Sequence, residues 1–232
     1  MAHFPEGFEE REEGPLVELA AYTERADARG LLRPLGSVSE RPVAQGWEDA
    51  WKRFHRPARV GPLWIGPSWE APQPGAIAIV LDPGRAFGTG AHPTTRLCLE
   101  HLLELEPAGL VDLGCGSGVL AVAAAALGFA PVVALDDDEA AVDAARANAA
   151  ANGVEVEARF ANALADPLPA VDVAVANIAR EPVERAAERF GGRLFVGSGY
   201  LAAERPTPAG WRVVKRREAA GWVADLLERP GE

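Results

Sequence analysis

The sequence predicts an α/β protein built on a mostly parallel, doubly wound sheet, and three observations support that prediction. Strand-like and helix-like segments alternate from residue 109 onward, as in folds whose parallel strands are joined by helices. Two strand candidates, 131–135 and 171–176, are unbroken apolar runs, which are typical of parallel strands buried on both faces. The last two strand candidates, 211–217 and 221–227, are separated only by a short turn at 218–220, so they predict an antiparallel hairpin at the sheet edge.

The residues ahead of the main domain predict a small α+β region followed by a linker. Residues 1–45 are too few for a substantial core of their own. They contain a strand, a helix and a strand candidate, in that order: 15–22, 26–32 and 37–43. We place the linker at 46–70 and the main domain at 71–232.

A helix is predicted over 45–57, because Trp47, Trp51 and Phe54 are spaced to fall on one helical face. Packing of a linker helix against a domain explains this stripe better than ligand binding does. Strands are predicted over 60–65 and 76–81, on either side of a turn-rich loop.

The main domain is then predicted to alternate helices and strands. Pro93 and Pro182 suit the first turn of a helix, and Asn152-Gly153 is a helix-ending signal. The predicted helices cover 93–105, 119–127, 139–152 and 182–190, and the strands between and after them cover 110–113, 131–135, 154–160, 171–176 and 193–196.

Composition limits the possible functions. The chain has 232 residues and a formal net charge of −11, which disfavours direct binding to nucleic acid and suits a basic protein partner or simply high solubility. Its two cysteines, Cys98 and Cys115, form no C-x-x-C pair, so we expect no metal site and a reducing, cytoplasmic setting. The acidic N-terminus is not a signal peptide, and no apolar run approaches the ~20 residues that cross a bilayer.

The segment 111–120, VDLGCGSGVL, predicts a nucleotide-binding turn between a strand and a helix. Asp112 precedes Gly114, Gly116 and Gly118, and backbone without Cβ atoms can lie against a ligand. Dinucleotide folds space their glycines G-x-G-x-x-G, whereas the G-x-G-x-G spacing here suits a nucleoside without a pyrophosphate. S-adenosylmethionine is such a ligand; another Rossmann-type ligand or a chance glycine-rich turn stays open on this segment alone.

Three further strands end in residues suited to the same ligand. Asp136 follows the second strand, 22 residues after Gly114, where an acid can accept both ribose hydroxyls. Asn162 follows the third strand and is positioned to reach an adenine, and Asn177 ends the fourth and can hold an amine nucleophile. An ordinary turn-forming role is the alternative for both asparagines.

The loop 81–95, LDPGRAFGTGAHPTT, concentrates Gly, His and Thr directly before a helix. No Lys follows Gly90, which excludes a Walker phosphate loop. A ligand lid that includes Phe87, Gly88, Gly90 and His92 is favoured over an ordinary surface loop.

Four motifs in this order and spacing make the chain resemble the ribosomal protein L-eleven methyltransferase family: LDPGRAFGTGAHPTT, VDLGCGSGVLAVAAAALG, ALDDDEAAVDAARANAAANGV and VANIA. The resemblance covers roughly residue 44 to the C-terminus. It implies a Class I methyltransferase Rossmann-like sheet, S-adenosylmethionine as cofactor, and N-methylation of lysine ε-amines and an N-terminal α-amine on a large-subunit ribosomal protein.

The resemblance also implies roles for individual residues. Thr95, Gly114, Asp136 and Asn177 fall on cofactor-contacting positions, and Phe87, Gly88 and Gly90 fall on the loop that closes over the cofactor and the substrate amine. Together with the turn and the strand ends, this gives a cofactor set of Thr95, Asp112, Gly114, Gly116, Asp136, Asn162, Asn177, Gly88 and Gly90. The catalytic set is Asn177, Phe87 and His92, with His92 either taking a proton or capping its helix.

Two departures from the family bear on the substrate. The family has a ferredoxin-like N-terminal domain, and the region before Trp47 resembles only its later part. The family's Asn-Ile-Leu-Ala is here Asn177-Ile178-Ala179-Arg180, which adds a positive charge near the expected substrate entrance. Alternatives are therefore an N-methyltransferase for another protein or a small-molecule amine, and a non-catalytic S-adenosylmethionine-binding protein.

Overall fold

The structure is a computed structural model that describes residues 9–13, 16–20, 33, 57–81, 90 and 92–230. The chain divides into two compact units, Met1–Ala50 and Trp51–Glu232, which are described separately. The boundaries predicted for the linker, after residue 45 and after residue 70, stay predictions.

The first unit contains an antiparallel hairpin. Strand β1 (Glu9–Glu13) pairs with β2 (Leu16–Ala20), with Glu13 opposite Leu16. β2 confirms the strand predicted over 15–22. β1 was not predicted, because a run of glutamates has low strand propensity and shows no apolar alternation. The elements predicted over 26–32, 37–43 and 45–57, with the aromatic stripe of the last, lie outside the described residues.

The second unit begins with a three-stranded sheet. Strands β3 (Ala58–Val60), β4 (Leu63–Gly66) and β5 (Ile77–Val80) lie in that order, with β3–β4 antiparallel and β4–β5 parallel. The strand predicted over 60–65 is confirmed in its second half by β4, but Val60 belongs to β3, because the chain reverses at Gly61, whose φ is +55°. The Gly61-Pro62 pair is a turn signal, and it was passed over because apolar residues flank it on both sides.

A seven-stranded sheet forms the centre of the unit, in the order β11-β12-β10-β9-β6-β7-β8. All its neighbouring strands are parallel except at β12, which is antiparallel to both β10 and β11. The strands are β6 (Leu110–Leu113), β7 (Val132–Asp136), β8 (Glu157–Phe160), β9 (Val173–Asn177), β10 (Leu194–Leu201), β11 (Arg212–Ala219) and β12 (Trp222–Glu228). The predicted class, a mostly parallel sheet with a C-terminal antiparallel hairpin, is confirmed.

Four helices connect the strands. They are α1 (Pro93–Leu102), α2 (Val119–Ala126), α3 (Glu139–Ala151) and α4 (Arg180–Arg189). All four were predicted, with ends that differ by one to three residues. α4 begins two residues before the predicted Pro182, because its N-cap is Ala179. No helix among the described residues has the length and apolar character needed to span a bilayer.

Apolar side chains cover both faces of the sheet. On one face, residues such as Leu110 and Val175 form a core with the buried sides of α1, α2 and α3. On the other face, Val111 and Ala174 pack with α4. Adjacent residues of one strand thus enter different cores, which is why the strand sequences read as continuous apolar runs. With both faces covered, ligands reach the sheet at its edges.

The C-terminal hairpin closes one side of the sheet. β11 is the outermost strand, and its turn into β12 uses positive φ at Ala220 (+51°) and Gly221 (+79°). The turn residues are 220 and 221, so the segment 218–220 predicted for the turn overlaps it only at Ala220. Lys215 and Arg217 extend from β11 to Glu104, just beyond α1, with N···O distances of 2.6 and 2.5 Å.

A buried ionic network joins the hairpin to β10. The Asp225 side chain is fully buried and accepts two hydrogen bonds of 2.7 Å from the Arg216 guanidinium. The Tyr200 hydroxyl donates to the same carboxylate at 3.0 Å. A buried charge is tolerated only with partners of this kind, so the network fixes the register of β10, β12 and β11.

We predict that Asp225→Ala lowers the free energy of unfolding by about 3–5 kcal/mol, because it leaves Arg216 without its buried partner. Chemical denaturation monitored by circular dichroism measures the change. Arg212→Ala is the control, since Arg212 pairs with Glu228 at the surface (2.7 Å) and its loss should cost about 0.5 kcal/mol or less. Equal effects of the two substitutions would contradict the prediction.

Candidate active site

Three adjacent strands end at the same edge of the sheet with the polar residues singled out from the sequence. β6 lies between β9 and β7, with Asp112 opposite Val175 on one side and Ala134 on the other. The carboxyl ends of these strands therefore place the glycine turn between Asp136 and Asn177. This is the edge at which open α/β sheets bind ligands.

The glycine turn is fixed by backbone hydrogen bonds to β7 and by close packing against α3. The N–H groups of Gly114 and Cys115 donate to the Leu135 carbonyl of β7 at 2.8 and 3.0 Å. Gly114, Gly116 and Gly118 all have positive φ, at +73°, +54° and +76°. A Cβ at Gly118 would lie 2.8 Å from the Cβ of Ala145, so this glycine also allows α2 and α3 to pack closely. The turn needs glycine for its conformation and for its packing.

Asp136 holds the turn from the neighbouring strand. Its Oδ2 accepts the N–H of Gly116 at 2.8 Å, and its Oδ1 accepts the N–H of Asp138 at 3.1 Å. A carboxylate offers about four acceptor sites, so two ribose hydroxyls can still donate to it. The half-buried Asp136 and the backbone of the turn therefore fit the ribose end of a nucleoside; the direct contact stays a prediction.

Asp112, predicted to bind cofactor, lies beneath the turn. It is 1% exposed, and its Oδ2 accepts the N–H of Ala121 in the first turn of α2 at 3.1 Å. The pKa of this carboxyl is raised to about 7, chiefly by burial; the Ala121 hydrogen bond opposes the shift and the nearby Asp136 charge adds to it. Asp112 is placed to position the turn, and its direct contact with a ligand stays a prediction.

Asn177 and Thr95 meet, although 82 residues separate them in the chain. The Nδ2 of Asn177, at the end of β9, donates to the Oγ1 of Thr95, in the first turn of α1, at 3.3 Å. Thr95 is 1% exposed and Asn177 is half-buried. An asparagine amide keeps a carbonyl oxygen and a second N–H besides this one, so it can also hold an amine.

His92 caps helix α1. The Thr94 N–H donates to His92 Nδ1 at 3.4 Å, and the His92 ring lies edge-on to Trp222 with centroids 5.1 Å apart. Nδ1 is also 2.7 Å from the Thr94 Oγ1. The capping role considered from the sequence is therefore present. A role as base stays a prediction.

The remaining predicted residues have mixed outcomes. Asn162 is held in a turn: its Nδ2 donates to Asp137 at 2.9 Å and its Oδ1 accepts the Leu164 N–H at 2.8 Å. Gly90 is buried, and a Cβ there would lie 2.5 Å from the Ile65 Cγ2, so this glycine packs against β4. Phe87 and Gly88 lie outside the described residues. The cofactor contacts predicted for Asn162, Gly88 and Gly90 and the catalytic role predicted for Phe87 stay predictions.

Arg180 is paired with two carboxylates. Its guanidinium lies 2.8 Å from Glu184 and 3.4 Å from Glu204. Glu184 also accepts the Thr207 N–H at 2.9 Å. The positive charge that the sequence places near the substrate entrance is thus compensated, and it fastens α4 to the segment after β10.

Sequence reasoning missed the contacts of two asparagines, one inside α3 and one at its C-cap. Asn148 donates to the Ser117 carbonyl in the glycine turn at 2.8 Å. Asn152 pairs with Val80 of β5, accepting its N–H and donating to its carbonyl, both at 2.7 Å. Asparagine is a poor helix former, so Asn148 inside an alanine-rich helix was the available signal.

Within the described part of the chain, no group of His, Cys, Asp or Glu side chains is arranged to hold a metal ion. Cys98 and Cys115 are both buried and unpaired, and burial raises the pKa of each thiol. Neither sulfur is therefore suited to act as a ligand or a nucleophile.

Fold and site together define a class of protein. The strand order with β12 antiparallel, the glycine turn after β6 and the acid after β7 are those of class I methyltransferases, whose cofactor is S-adenosylmethionine. The profile of the family described as "Ribosomal protein L11 methyltransferase (PrmA)" matches residues 16–224. The chain belongs to this family.

Individual relatives agree with that assignment. The ribosomal protein L11 methyltransferase of Symbiobacterium thermophilum is 46% identical over 202 residues, covering 80% of this chain and 66% of its own length. That of Azotobacter vinelandii is 45% identical over 207 residues, covering 80% and 70%. The crystal structure of ribosomal protein L11 methylase from Lactobacillus delbrueckii subsp. bulgaricus aligns with a TM-score of 0.67 and 29% identity, over 76% of this chain and all of that one. The chain thus spans about two thirds of the length of these curated relatives.

We predict that Asp112→Asn flattens part of the pH dependence of stability. The folded-state pKa of Asp112, about 7, exceeds its unfolded value of about 3.9, so the folded state holds the extra proton between these values. The stability contributed by that proton is complete below about pH 4 and is lost as pH rises through about 7. The Asn variant should therefore gain stability relative to the parent chain over this interval.

Calorimetric melting of both proteins from pH 4.5 to pH 8 measures the difference, within about the interval set by those two pKa values. Taking the difference removes the contribution of His101, whose pKa burial lowers in both proteins. A constant difference in melting temperature across the series would contradict the raised pKa of Asp112.

We also predict that Asp136→Ala weakens S-adenosylmethionine binding about 10-fold to 100-fold, because the ribose loses its acceptor and Gly116 loses its anchor. Isothermal titration calorimetry gives the dissociation constant. Asp143→Ala removes the same charge from an exposed position of α3 and should leave the affinity unchanged. Unchanged affinity in Asp136→Ala would show that the ribose assignment is wrong.

Proposed function

We propose that the protein transfers methyl groups from S-adenosylmethionine to amines of ribosomal protein L11, at lysine ε-amines, the N-terminal α-amine or both. The contact of 3.3 Å between Asn177 and Thr95 is the observation that carries the proposal. Two positions that the family resemblance assigns to the cofactor meet there, beside the glycine turn. The names of the relatives supply the substrate, and the family match supports extending it to this chain.

The residues present fit the cofactor. Asp136 and the backbone of the glycine turn would hold its nucleoside, and Thr95 and Asn177 would lie towards its methionine part. S-adenosylmethionine, when bound, supplies a methyl group that is already activated by a sulfonium. No acid, metal or covalent nucleophile of the protein is then needed for the transfer.

The task left to the chain is to hold a neutral amine in line with that methyl group. Proximity and orientation supply most of the acceleration in such a reaction. A lysine amine has an ordinary pKa of about 10.4, and removal from water lowers it, so the site favours the reactive neutral form. The carbonyl oxygen of the Asn177 amide can accept an N–H of this amine and fix the direction of its lone pair.

The charge of the chain supports a protein substrate of opposite sign. With a net charge of −11, the protein attracts a basic partner and repels bare phosphate backbones. We place the reaction in the cytoplasm, where ribosomal proteins are made.

Incubation of purified L11 with the protein and S-adenosylmethionine tests the proposal by mass spectrometry. We expect L11 to gain mass in steps of one methyl group, with modified residues identified after proteolysis. Asn177→Ala should lower kcat about 100-fold, because the amine loses its orienting partner. Glu188→Ala, at an exposed position of α4, is the control and should match the parent chain.

The outcomes separate the alternatives. Methylation in a ribosomal extract of a protein other than L11 would replace the substrate and keep the chemistry. Label found only on small molecules would refute a protein substrate. Binding of S-adenosylmethionine without methylation of any component would refute enzymatic activity.

A further inference from the structure

Ile178 occupies a crowded position between the glycine turn and strand β10. It directly follows Asn177, the residue on which the proposed function depends. Its N–H donates to the Ser198 carbonyl of β10 at 3.1 Å. The backbone that carries Asn177 out of β9 is therefore bonded to the next strand of the sheet.

A bulge in β10 makes room for this backbone. The pairing of β10 with β12 shifts register between Ser198 and Tyr200, so Gly199 is the extra residue. Gly199 has a φ of +98°, and a Cβ on it would lie 1.5 Å from the Ile178 carbonyl oxygen. No side chain fits at that distance, so any residue other than glycine must displace Ile178.

The bulge is itself held firmly. The Ser198 hydroxyl is fully buried and donates to the Val223 carbonyl of β12 at 2.6 Å. The Tyr200 hydroxyl, on the other side of Gly199, donates to buried Asp225 and lies 2.9 Å from the Gly197 carbonyl oxygen. Because β10 is held by these hydrogen bonds, a Cβ at Gly199 would displace the Ile178 backbone rather than β10.

The side chain of Ile178 reaches the cofactor turn. A Cβ on Gly114 would lie 2.7 Å from the Ile178 Cγ2, so the isoleucine packs directly over the first glycine of the turn. One residue therefore contacts the bulge through its backbone and the turn through its side chain, immediately beside Asn177.

We infer that Ile178 and Gly199 are positioning residues that set the place of the Asn177 amide relative to the glycine turn. The glycine at 199 lets the Ile178 backbone approach β10, and the Ile178 side chain sets the spacing to Gly114. Neither residue needs to touch the reacting atoms. This inference rests on the proposed function, which places the cofactor at the sheet edge where Gly114 and Asn177 lie.

A double-mutant cycle on the binding of S-adenosylhomocysteine tests the inference without any turnover. We expect Asn177→Ala to weaken binding about tenfold in the parent chain, the cost of one good hydrogen bond. Gly199→Ala should weaken binding by a similar factor. In the Gly199→Ala background, Asn177→Ala should change the dissociation constant by less than about twofold, because the displaced amide no longer makes its contact.

Gly221→Ala is the matched control. Gly221 also has a positive φ, +79°, but a Cβ there would meet no atom of the described chain within 4 Å beyond its immediate neighbours. Gly221→Ala therefore imposes the same backbone strain without the collision. Binding should be unchanged in this variant, and Asn177→Ala should retain its full effect in it.

A second pair of variants leaves the backbone at Gly199 untouched. Ile178→Ala removes the contact with Gly114 and should reproduce the non-additive cycle. Ile178→Val keeps a γ-carbon in that place and should bind like the parent chain.

Independent, multiplying effects of Asn177→Ala with both Gly199→Ala and Ile178→Ala would overturn the inference. If the parent chain still binds S-adenosylhomocysteine normally, that result does not contradict the proposed function. Absence of binding by the parent chain would instead refute the proposed function.

Discussion

The hydrogen bond from the Gly116 N–H to the Asp136 carboxylate is the interaction on which the rest of the site depends. It joins the turn after β6 to the end of β7 across 20 residues of chain. A turn rich in glycine has many alternative conformations, and fixing it costs entropy. The Asp136 carboxylate and the Leu135 carbonyl, both on β7, accept hydrogen bonds from the turn and so offset that entropic cost. The turn therefore has its shape before a ligand binds.

The buried carboxyl below the turn completes this arrangement. Asp112 anchors the first turn of α2, so the turn is held from the strand, from the helix and from β7 at once. Because water does not reach this carboxyl, its charged form is disfavoured, and its pKa is raised to about 7. Asn177 is held in a comparable way, by Thr95 at its side chain and by β10 just after it, and the two halves of the site meet at Ile178.

Much of this was predictable from the sequence, because it depends on local rules. The α/β class, four helices and most strands follow from apolar periodicity, prolines and Asn-Gly signals, and the site residues follow from strand ends and a shared motif. Part of what was missed depends on contacts between distant segments. Two local features were also missed: the Gly61-Pro62 turn, which apolar residues flank on both sides, and β1, which lacks the usual strand residues. Gly199 looks like an ordinary glycine until β10 is paired with both β9 and β12. The contact of Asn148 with the turn likewise appears only when α3 is placed beside α2.

The hairpin at the margin of the sheet has a consequence for how copies of the protein behave in concentrated solution. An outermost strand offers unpaired backbone groups, and a second molecule can extend the sheet through them. β11 has Val213 and Val214 at 44% exposure, which favours such stacking, yet Arg212, Lys215 and Arg217 share the strand. Each of these cations is paired with a carboxylate of its own chain, and a second strand added there would have to desolvate those ion pairs. The charged margin thereby discourages aggregation at a strand whose two valines are nearly half exposed.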